Sequence, residues 1–395
     1  MIIRRRKKKS YWLEYLAAFQ IMASSGGFDV IAREIFGKRV HNLLYAFYFM
    51  TGFVLFCKRG KKVFNSSAQT ALLMSLWLAF ARVIIDMYSG EGVQLDSLFG
   101  APFVMIGSYL IISSVDFYKF REILLRTLNL ISIATIVGWV IHENFFPNVY
   151  SYRGISFRSI YFFVFHKWTG RMASLWWEPG MYQIIMIFVL MLFMDQFKKI
   201  TLSNIHYYIK RFGWIIACLI MCRSTMGYIC FIAIIGLIIL FNDTLGKKKL
   251  LYFLGLILGV ALIAIIYNSD VVQKKIGDQY SRSSSYIDRM GGNITGFQTS
   301  LVYPIVGAGQ HPTVGTRSTN GWLNLAIRAG WPFLICFVLI FLKNLQRMKP
   351  GIPTLMAFIP LFLSYANEGY ILYPIAFIYI FKYKSYNKKF RSRIS

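Results

Sequence analysis

The sequence is short of charged residues and of cysteines. Only 15% of its 395 residues are charged and 56% are hydrophobic, whereas about a quarter of the residues of a soluble protein are charged. This shortage excludes a soluble globular protein. The five cysteines lie in or beside apolar runs, so neither a disulfide framework nor a zinc site is indicated. The long apolar runs at 181–194, 226–241 and 250–267 predict an all-α polytopic membrane protein.

Acidic residues are scarce, with 16 Asp and Glu against 44 Lys and Arg. In a soluble chain this excess would indicate nucleic-acid binding, but the cytoplasmic loops of membrane proteins also concentrate Lys and Arg. If the N-terminus is cytoplasmic, most basic residues fall on inner segments and most acidic residues fall on the outer side. We therefore predict that both termini are cytoplasmic and that nucleic acid is not a partner.

Apolar runs predict about 12 transmembrane helices and no cleavable signal. The loops 143–172 and 269–320 are long and lie on the predicted outer side, while the other connections are short. We expect 1–395 to form a single integral membrane domain whose chemistry uses these two loops. The runs 212–222 and 226–241 are also compatible with one broken hairpin. The predicted spans are 11–31, 41–57, 68–88, 99–115, 123–142, 173–194, 212–222, 226–241, 250–268, 321–342, 353–366 and 370–382.

The first long loop ends in a motif that opens a span, Arg171-x6-Glu178-Pro179. Pro179 suits the first turn of a helix, which places Glu178 at the outer mouth of the membrane. Its carboxylate has two interpretations. Either the helix dipole stabilises it there, or it acts beside Arg171 as a general base or sugar-binding group. Nearby tryptophans belong either to the interfacial belt of the membrane or to a surface that stacks on sugars. They are Trp168, Trp176 and Trp177.

A single arginine, Arg223, lies between two apolar runs on the predicted outer side, within Cys222-Arg-Ser-Thr-Met-Gly-Tyr228. An ionisable side chain in the apolar zone of a membrane protein is costly and indicates a function. We therefore expect Arg223 to belong to a functional site.

Residues 284–302 of the second loop are predicted to form an amphipathic helix. Arg289, Asn293 and Ser300 fall towards the face opposite the apolar residues. On the outer surface, such a helix would direct Arg289 either at an anionic ligand or at lipid headgroups. The apolar residues that follow the helical spacing are Tyr286, Met290, Ile294, Phe297 and Leu301.

The predicted helix is followed by Gly307 and Gly309. These glycines follow no strand, which argues against a dinucleotide-binding turn. They favour a tight turn that lets a bulky headgroup approach the backbone. His311, two residues further on, is either a base or a polar loop residue.

Four arginines of the outer side are predicted to converge on one cavity. Positive charge there opposes the usual topology, and guanidinium groups bind phosphate in a bidentate manner. A lipid diphosphate therefore fits the cavity better than a free ion. The sequence has no cluster of metal ligands, so we expect no metal and no cofactor, and guanidinium groups alone would stabilise a diphosphate leaving group. The four are Arg171, Arg223, Arg289 and Arg317, and Arg282 lies in the same loop as the last two.

In order and topology, these motifs resemble Wzy-type polysaccharide polymerases, within the larger family that includes the lipid-linked O-antigen ligases. The likeness covers roughly 150–345, and the first 140 residues match only in hydropathy. Three blocks carry it: Arg171 to Pro179; Arg223-Ser-Thr-Met-Gly227; and Asp288-Arg289 through Pro304–Gly309 to Asn320-Gly-Trp-Leu and Gly330.

The resemblance implies a GT-C-like, metal-independent glycosyltransferase of the bacterial cytoplasmic membrane. It would move the glycan of one undecaprenyl diphosphate to a hydroxyl of a second lipid-linked repeat unit at the outer face. The product would be a surface polysaccharide such as capsule or the O-antigen of lipopolysaccharide. Expected partners are these lipid-linked oligosaccharides, membrane lipids, and the chain-length regulator and flippase of the same pathway.

The resemblance also implies roles for individual residues. Arg289 would act at the reacting diphosphate, and Glu178, with Asp288 behind it, would assist the acceptor hydroxyl. The identity of the base stays open between these two carboxylates and His311. The expected substrate-binding residues are Arg171, Arg223, Arg282, Arg317, Gly309, His311, Asn320 and Trp177.

Two alternatives stay open. An O-antigen ligase would transfer the glycan to another acceptor, and that branch usually places a histidine where this chain has Asn320, which favours the polymerase. A transporter or flippase of lipid-linked glycan would more often show repeat symmetry and ionisable residues near the bilayer midplane. Here the notable charges cluster at the predicted outer mouth, which favours chemistry at one face.

Overall fold

The computed structural model describes a mostly helical chain. Many of its helices are apolar on several sides, as expected where both the protein interior and the surrounding lipid are apolar. The described residues are 11–27, 37–59, 66–89, 95–145, 150–152, 155–160, 163–166, 171–176, 178–201, 203–244, 246, 249–250, 253–254, 257, 284–308, 318, 320–366 and 372–384.

Along the chain, a small sheet lies between two groups of helices. The first group is α1 (Trp12–Ala23), α2 (Lys38–Arg59), α3 (Ser66–Ser89), α4 (Leu95–Ser114) and α5 (Phe117–Phe145). The strands are β1 (Tyr150–Tyr152), β2 (Ile155–Ile160), β3 (Phe163–His166) and β4 (Arg171–Ser174). The later helices are α6 (Pro179–Met191), α7 (Met194–Phe197), α8 (Ile205–Met221), α9 (Thr225–Phe241), α10 (Ser284–Val302), α11 (Gly321–Ala329), α12 (Trp331–Met348), α13 (Thr354–Tyr365) and α14 (Pro374–Phe377).

Several of these helices have the composition of membrane spans. Three described segments are long and apolar enough to cross a bilayer, namely Ser66–Ile84 of α3, Phe117–Ile141 of α5 and all of α12. Shorter apolar helices lie at 100–114, 179–191, 225–241 and 354–365. The structure therefore supports the predicted class, a mostly helical membrane protein. The count of about 12 spans stays a prediction.

The two predicted runs after residue 211 form two separate helices, α8 and α9, with Cys222–Ser224 between them. The next predicted span, 250–268, lies mostly outside the described residues. The break between α8 and α9 matters because it contains Arg223.

Contacts between helix termini define two ends of the bundle. At one end, Arg59 at the end of α2 pairs with Glu14 at the start of α1. At the same end, Arg121 at the start of α5 pairs with Asp195 of α7 at 2.8 Å. We call this the basic end, defined by Glu14, Arg59, Arg121, Glu122, Asp195 and Arg211. The opposite end, where α6, α9 and α12 begin, is called the site end, defined by Ser174, Glu178, Arg223 and Trp331.

Helix α6 lies at the centre of the bundle. All of its residues from Met181 to Met191 are buried, as expected for a helix that is hydrophobic all round. The ring of Phe188 meets the rings of Phe341, Tyr365 and Tyr379 edge to face, with centroids 5.2 to 6.3 Å apart. Because α6 is held on all sides, the residues at its start have a fixed position at the site end.

The predicted outer loop 143–172 contains strands that the sequence analysis did not foresee. Strands β1 to β4 form an antiparallel sheet in chain order, in which Tyr150 pairs with Phe157 and Phe157 pairs with His166. Aromatic and β-branched residues favour strands, and this segment is rich in them. The sheet is an exception to the predicted all-α fold, and β4 leads its chain directly into the site end.

Candidate functional site

A strained residue connects the sheet to the site end. Ser174, the last residue of β4, has a φ of 56° and is fully buried, although residues other than glycine rarely adopt this left-handed conformation. Its Oγ shares a hydrogen bond of 2.6 Å with Thr135 Oγ1 of α5. Strained backbone persists where its surroundings determine it, so this contact helps to fix the turn that leads to α6.

Trp176 in the same turn belongs to the core. Its Nε1 donates to the carbonyl oxygen of Met22 at 3.0 Å, and its ring stacks on Tyr182 with centroids 4.5 Å apart. The side chain is fully buried. Both predicted interpretations, an interfacial belt and a sugar-stacking surface, are therefore wrong for Trp176. Trp168 and Trp177 lie outside the described residues.

Glu178 is the N-cap residue of α6, and Pro179 occupies its first turn, as predicted. The Glu178 side chain is exposed and makes no capping hydrogen bond. Its charge still benefits from the positive end of the helix dipole. The carboxylate is therefore both electrostatically stabilised and accessible, which suits either of the two predicted roles.

Arg223 occupies the reversal between α8 and α9. It has a φ of 48°, a left-handed conformation that costs a non-glycine residue about 1–2 kcal/mol, and its side chain is exposed. The following residue, Ser224, caps α9 by accepting a hydrogen bond from Gly227 N at 3.3 Å. The chain thus presents an arginine at the head of a capped helix.

Arg171 reaches the same reversal from the sheet. Its Nε donates to the carbonyl oxygen of Cys222 at 3.3 Å, and that carbonyl belongs to the residue before Arg223. The Tyr228 hydroxyl donates to the carbonyl oxygen of Ile220 at 2.7 Å, which joins the first turn of α9 to the end of α8 at this reversal. The fold therefore brings together two arginines that are distant in sequence, at the carbonyl-rich end of α8, where cations are favoured.

Helix α10 covers 284–302, the range predicted for the amphipathic helix. Its polar stripe packs on the protein, because Asn293 Oδ1 accepts from Ser318 Oγ at 2.6 Å and Ser300 is fully buried. Arg289 occupies the position one helical turn before Asn293 on this stripe. The apolar stripe is instead exposed, at 58% for Ile294, 47% for Phe297 and 55% for Leu301.

Asn320 is an N-cap. Its Oδ1 accepts hydrogen bonds from the backbone N–H groups of Trp322 and Leu323 at 3.0 and 3.3 Å. Asparagine is among the preferred N-cap residues because its side chain satisfies these otherwise unpaired donors. The structure thus gives Asn320, which we expected to bind substrate, a structural role at the start of α11.

Gly307 also has a structural explanation. It has a φ of 75°, and a Cβ there would lie 2.6 Å from the carbonyl oxygen of Ile327. The neighbouring segment is hydrogen-bonded to the junction of α11 and α12, with Trp331 N donating to Pro304 O at 2.8 Å. The expected approach of a headgroup is therefore wrong for Gly307, since the backbone of α11 occupies that place.

The other predicted site residues are only partly described. Asp288 and Arg289 lie in the first part of α10, at 284–290, where only the backbone is described. Five further residues lie outside the described ranges, and their roles stay predictions. They are Arg282, Arg317, Gly309, His311 and Trp177.

The candidate site is therefore built from Arg171, Glu178 and Arg223, which three separate elements place at the site end. Within the described ranges, no group of three or more His, Cys, Asp or Glu side chains could hold a metal ion. Gln183, the one carboxamide in the apolar run 181–194, was not among the predicted site residues. A polar side chain within a predicted span is a signal that could have identified it.

The fold and the site together define a class: a mostly helical membrane protein with a polar site at one end of the bundle. No protein-family model, curated protein or solved structure matches the chain. The resemblance to polysaccharide polymerases accordingly rests on the sequence motifs.

Proposed function

We propose that the chain is a membrane glycosyltransferase that polymerises undecaprenyl-diphosphate-linked repeat units into surface polysaccharide, at the outer face of a bacterial cytoplasmic membrane. The observation that carries the proposal is the hydrogen bond of 3.3 Å from Arg171 Nε to the carbonyl oxygen of Cys222, which brings Arg171 of the sheet to the residue directly before Arg223. Two guanidinium groups at one helix head suit a diphosphate. They belong to two separate blocks of the motif pattern that resembles the polymerases.

The proposed reaction is a displacement at the anomeric carbon of the donor glycan. The acceptor hydroxyl forms the new glycosidic bond, the bond from carbon to the diphosphate oxygen breaks, and undecaprenyl diphosphate leaves with the bonding electrons. Arg171 and Arg223 would stabilise the negative charge on the leaving group. The exposed carboxylate of Glu178 would accept the proton of the acceptor hydroxyl, and Arg289 would approach from α10.

The proposal includes a membrane placement. The site end would face outwards and the basic end would face the cytoplasm, with both termini on the cytoplasmic side and about 12 spans in a GT-C-like arrangement. The basic end carries Arg59, Arg121 and Arg211, as expected for a cytoplasmic face. Described helices that run in alternate directions between the two ends also support this placement.

The test uses purified protein in nanodiscs with a lipid-diphosphate-linked repeat unit, and the readout is a ladder of longer lipid-linked glycans on a gel. Wild type should give a ladder, and Arg223→Ala should not. Lys349→Ala is the matched control. Lys349 is also an exposed cationic residue with a left-handed backbone conformation, at a φ of 51°, but it lies near the basic end, two residues before Gly351, which adjoins Asp195. The wild-type ladder should persist in excess EDTA.

Other outcomes of this assay would replace the proposal. Transfer to an acceptor other than a second repeat unit would indicate a ligase. Movement of the lipid-linked glycan across a sealed bilayer without any ladder would indicate a transporter. A ladder that Arg223→Ala leaves intact would remove Arg223 from the site.

A further inference from the structure

The central helix α6 contains a buried carboxamide whose nitrogen, Gln183 Nε2, has no hydrogen-bond partner among the described residues. Gln183 is only 1% exposed. Buried polar groups are almost always paired, because leaving one unpaired in an apolar surrounding is unfavourable. In a membrane span, an unpaired polar group of this kind points to a ligand.

Gln183 lies against the first turn of α9. A Cβ built on Gly227 would lie 2.5 Å from Gln183 Cγ and 3.4 Å from Gln183 Cβ. The glycine therefore makes room for the Gln183 side chain, and a larger residue at 227 would displace Gln183 Cγ and the carboxamide attached to it. Gly227 is also the residue whose N–H is capped by Ser224 Oγ, at 3.3 Å.

The same turn offers further donors. The first backbone N–H groups of an α-helix have no acceptor within the helix. Ser224 Oγ accepts from Gly227 N, and the N–H groups of Thr225 and Met226 have no backbone acceptor among the described residues. The positive end of the dipole of this 17-residue helix lies here, an arrangement that favours phosphate groups. Arg223 adds a guanidinium group directly before the cap.

We propose that Gln183 binds a phosphoryl oxygen of the lipid diphosphate at the N-terminal turn of α9, together with the N–H groups of Thr225 and Met226 and the guanidinium of Arg223. This inference rests on the proposed function for the identity of the ligand. It adds a binding residue from α6, one that the motif pattern did not include. The carboxylate nearest in sequence is that of Glu178, the N-cap residue of α6, about 7.5 Å from Gln183 along the helix axis at 1.5 Å per residue.

Binding of farnesyl diphosphate to the full-length protein in detergent tests the inference, with farnesol as the uncharged reference. Gln183→Leu should weaken binding of the diphosphate about tenfold, the usual size for a lost hydrogen bond to a charged group. Gln183→Glu should weaken it further because the carboxylate repels phosphate. Farnesol binding should be unchanged in both variants.

Gln20→Leu is the matched control. Gln20 is also a buried glutamine, 7% exposed, with an unpaired Oε1 among the described residues, but it lies in α1. This variant should bind farnesyl diphosphate as tightly as wild type. If Gln183→Leu and Gln20→Leu both bind it normally, Gln183 is a packing residue and the inference is overturned.

Gly227→Ala provides a second variant that leaves the glutamine in place. Its added methyl group would displace the carboxamide, so the diphosphate affinity should fall while the farnesol affinity holds; unchanged diphosphate affinity would contradict the inference. These binding measurements need no polymer formation. If Gln183→Leu weakens diphosphate binding but the protein makes no ladder, the inference holds and the proposed function is rejected. If the protein makes a ladder but Gln183→Leu binds the diphosphate normally, the proposed function holds and the inference is rejected.

Discussion

The two ends of the bundle use arginine in different ways. At the basic end, Arg121 pairs with Asp195 at 2.8 Å, and its guanidinium lies 4.9 Å from the ring centre of Phe193. Arg211 pairs with Glu122 and lies 5.0 Å from the same ring. The two side chains are only 6% and 13% exposed, so these cations are part of the packed structure.

At the site end, the arginines are held differently. Arg223 is exposed on a left-handed backbone, and Arg171 donates to a backbone carbonyl at 3.3 Å. A buried guanidinium that is paired with a carboxylate and packed against rings cannot lose its partner without a large cost, whereas an exposed guanidinium at a helix head is suited to an anionic ligand. The comparison of the two ends shows that the surroundings of an arginine, more than its presence, distinguish a structural role from a binding role.

The largest effect on stability should come from Arg121→Ala. The change leaves the Asp195 carboxylate without its partner in a mostly buried place, which costs about 3–5 kcal/mol of the free energy of unfolding. Thermal unfolding in detergent would measure it. Lys198→Ala is the control, because the pair of Lys198 with Asp243 at 3.2 Å is more exposed and should contribute less than about 1 kcal/mol. Equal effects of the two changes would contradict the contrast between buried and exposed pairs.

Arg223→Lys should instead affect turnover and leave stability intact. Lysine keeps the charge but loses the planar fork that binds phosphate in a bidentate manner. We expect polymer formation to slow about 10- to 100-fold, corresponding to about 1.4–2.7 kcal/mol of transition-state stabilisation. The rate of ladder formation and the unfolding temperature would be measured on the same preparation. Near-normal turnover would show that Arg223 supplies charge alone, and an unfolding temperature lowered as in Arg121→Ala would make it a structural residue.

The structural features that depend on local composition could be predicted from the sequence. Apolar runs predicted the helical membrane class, the 3.6-residue period predicted α10, and Pro179 was predicted to lie in the first turn of α6. Such features are predictable because lipid and protein interior are both apolar, so burial in either produces the same runs of apolar residues. The predicted span 173–194 began too early, because residues 171–174 form β4.

Features that depend on contacts between distant segments were missed. Gly307 was interpreted through its own turn, but its small size is required by Ile327 of α11. Trp176 has the composition of an interfacial residue and is instead enclosed by Tyr182 and the end of α1. Local sequence does not determine which distant segment a turn or an aromatic ring packs against. The roles of Gly307 and Trp176 could therefore be assigned only from the three-dimensional structure.

The smallest expected change in stability concerns Asn320, and it tests whether this residue has only a structural role or also binds the substrate. As an N-cap, its side-chain oxygen accepts from two backbone N–H groups. Asn320→Ala should therefore lower the free energy of unfolding by about 1 kcal/mol, while Asn320→Asp should keep it, because aspartate caps equally well. If Asn320 only caps, Asn320→Asp polymerises as wild type does. If its amide also binds the glycan, the Asn320→Asp variant keeps the wild-type free energy of unfolding but loses polymer formation. That result would show that Asn320 both caps α11 and binds the substrate.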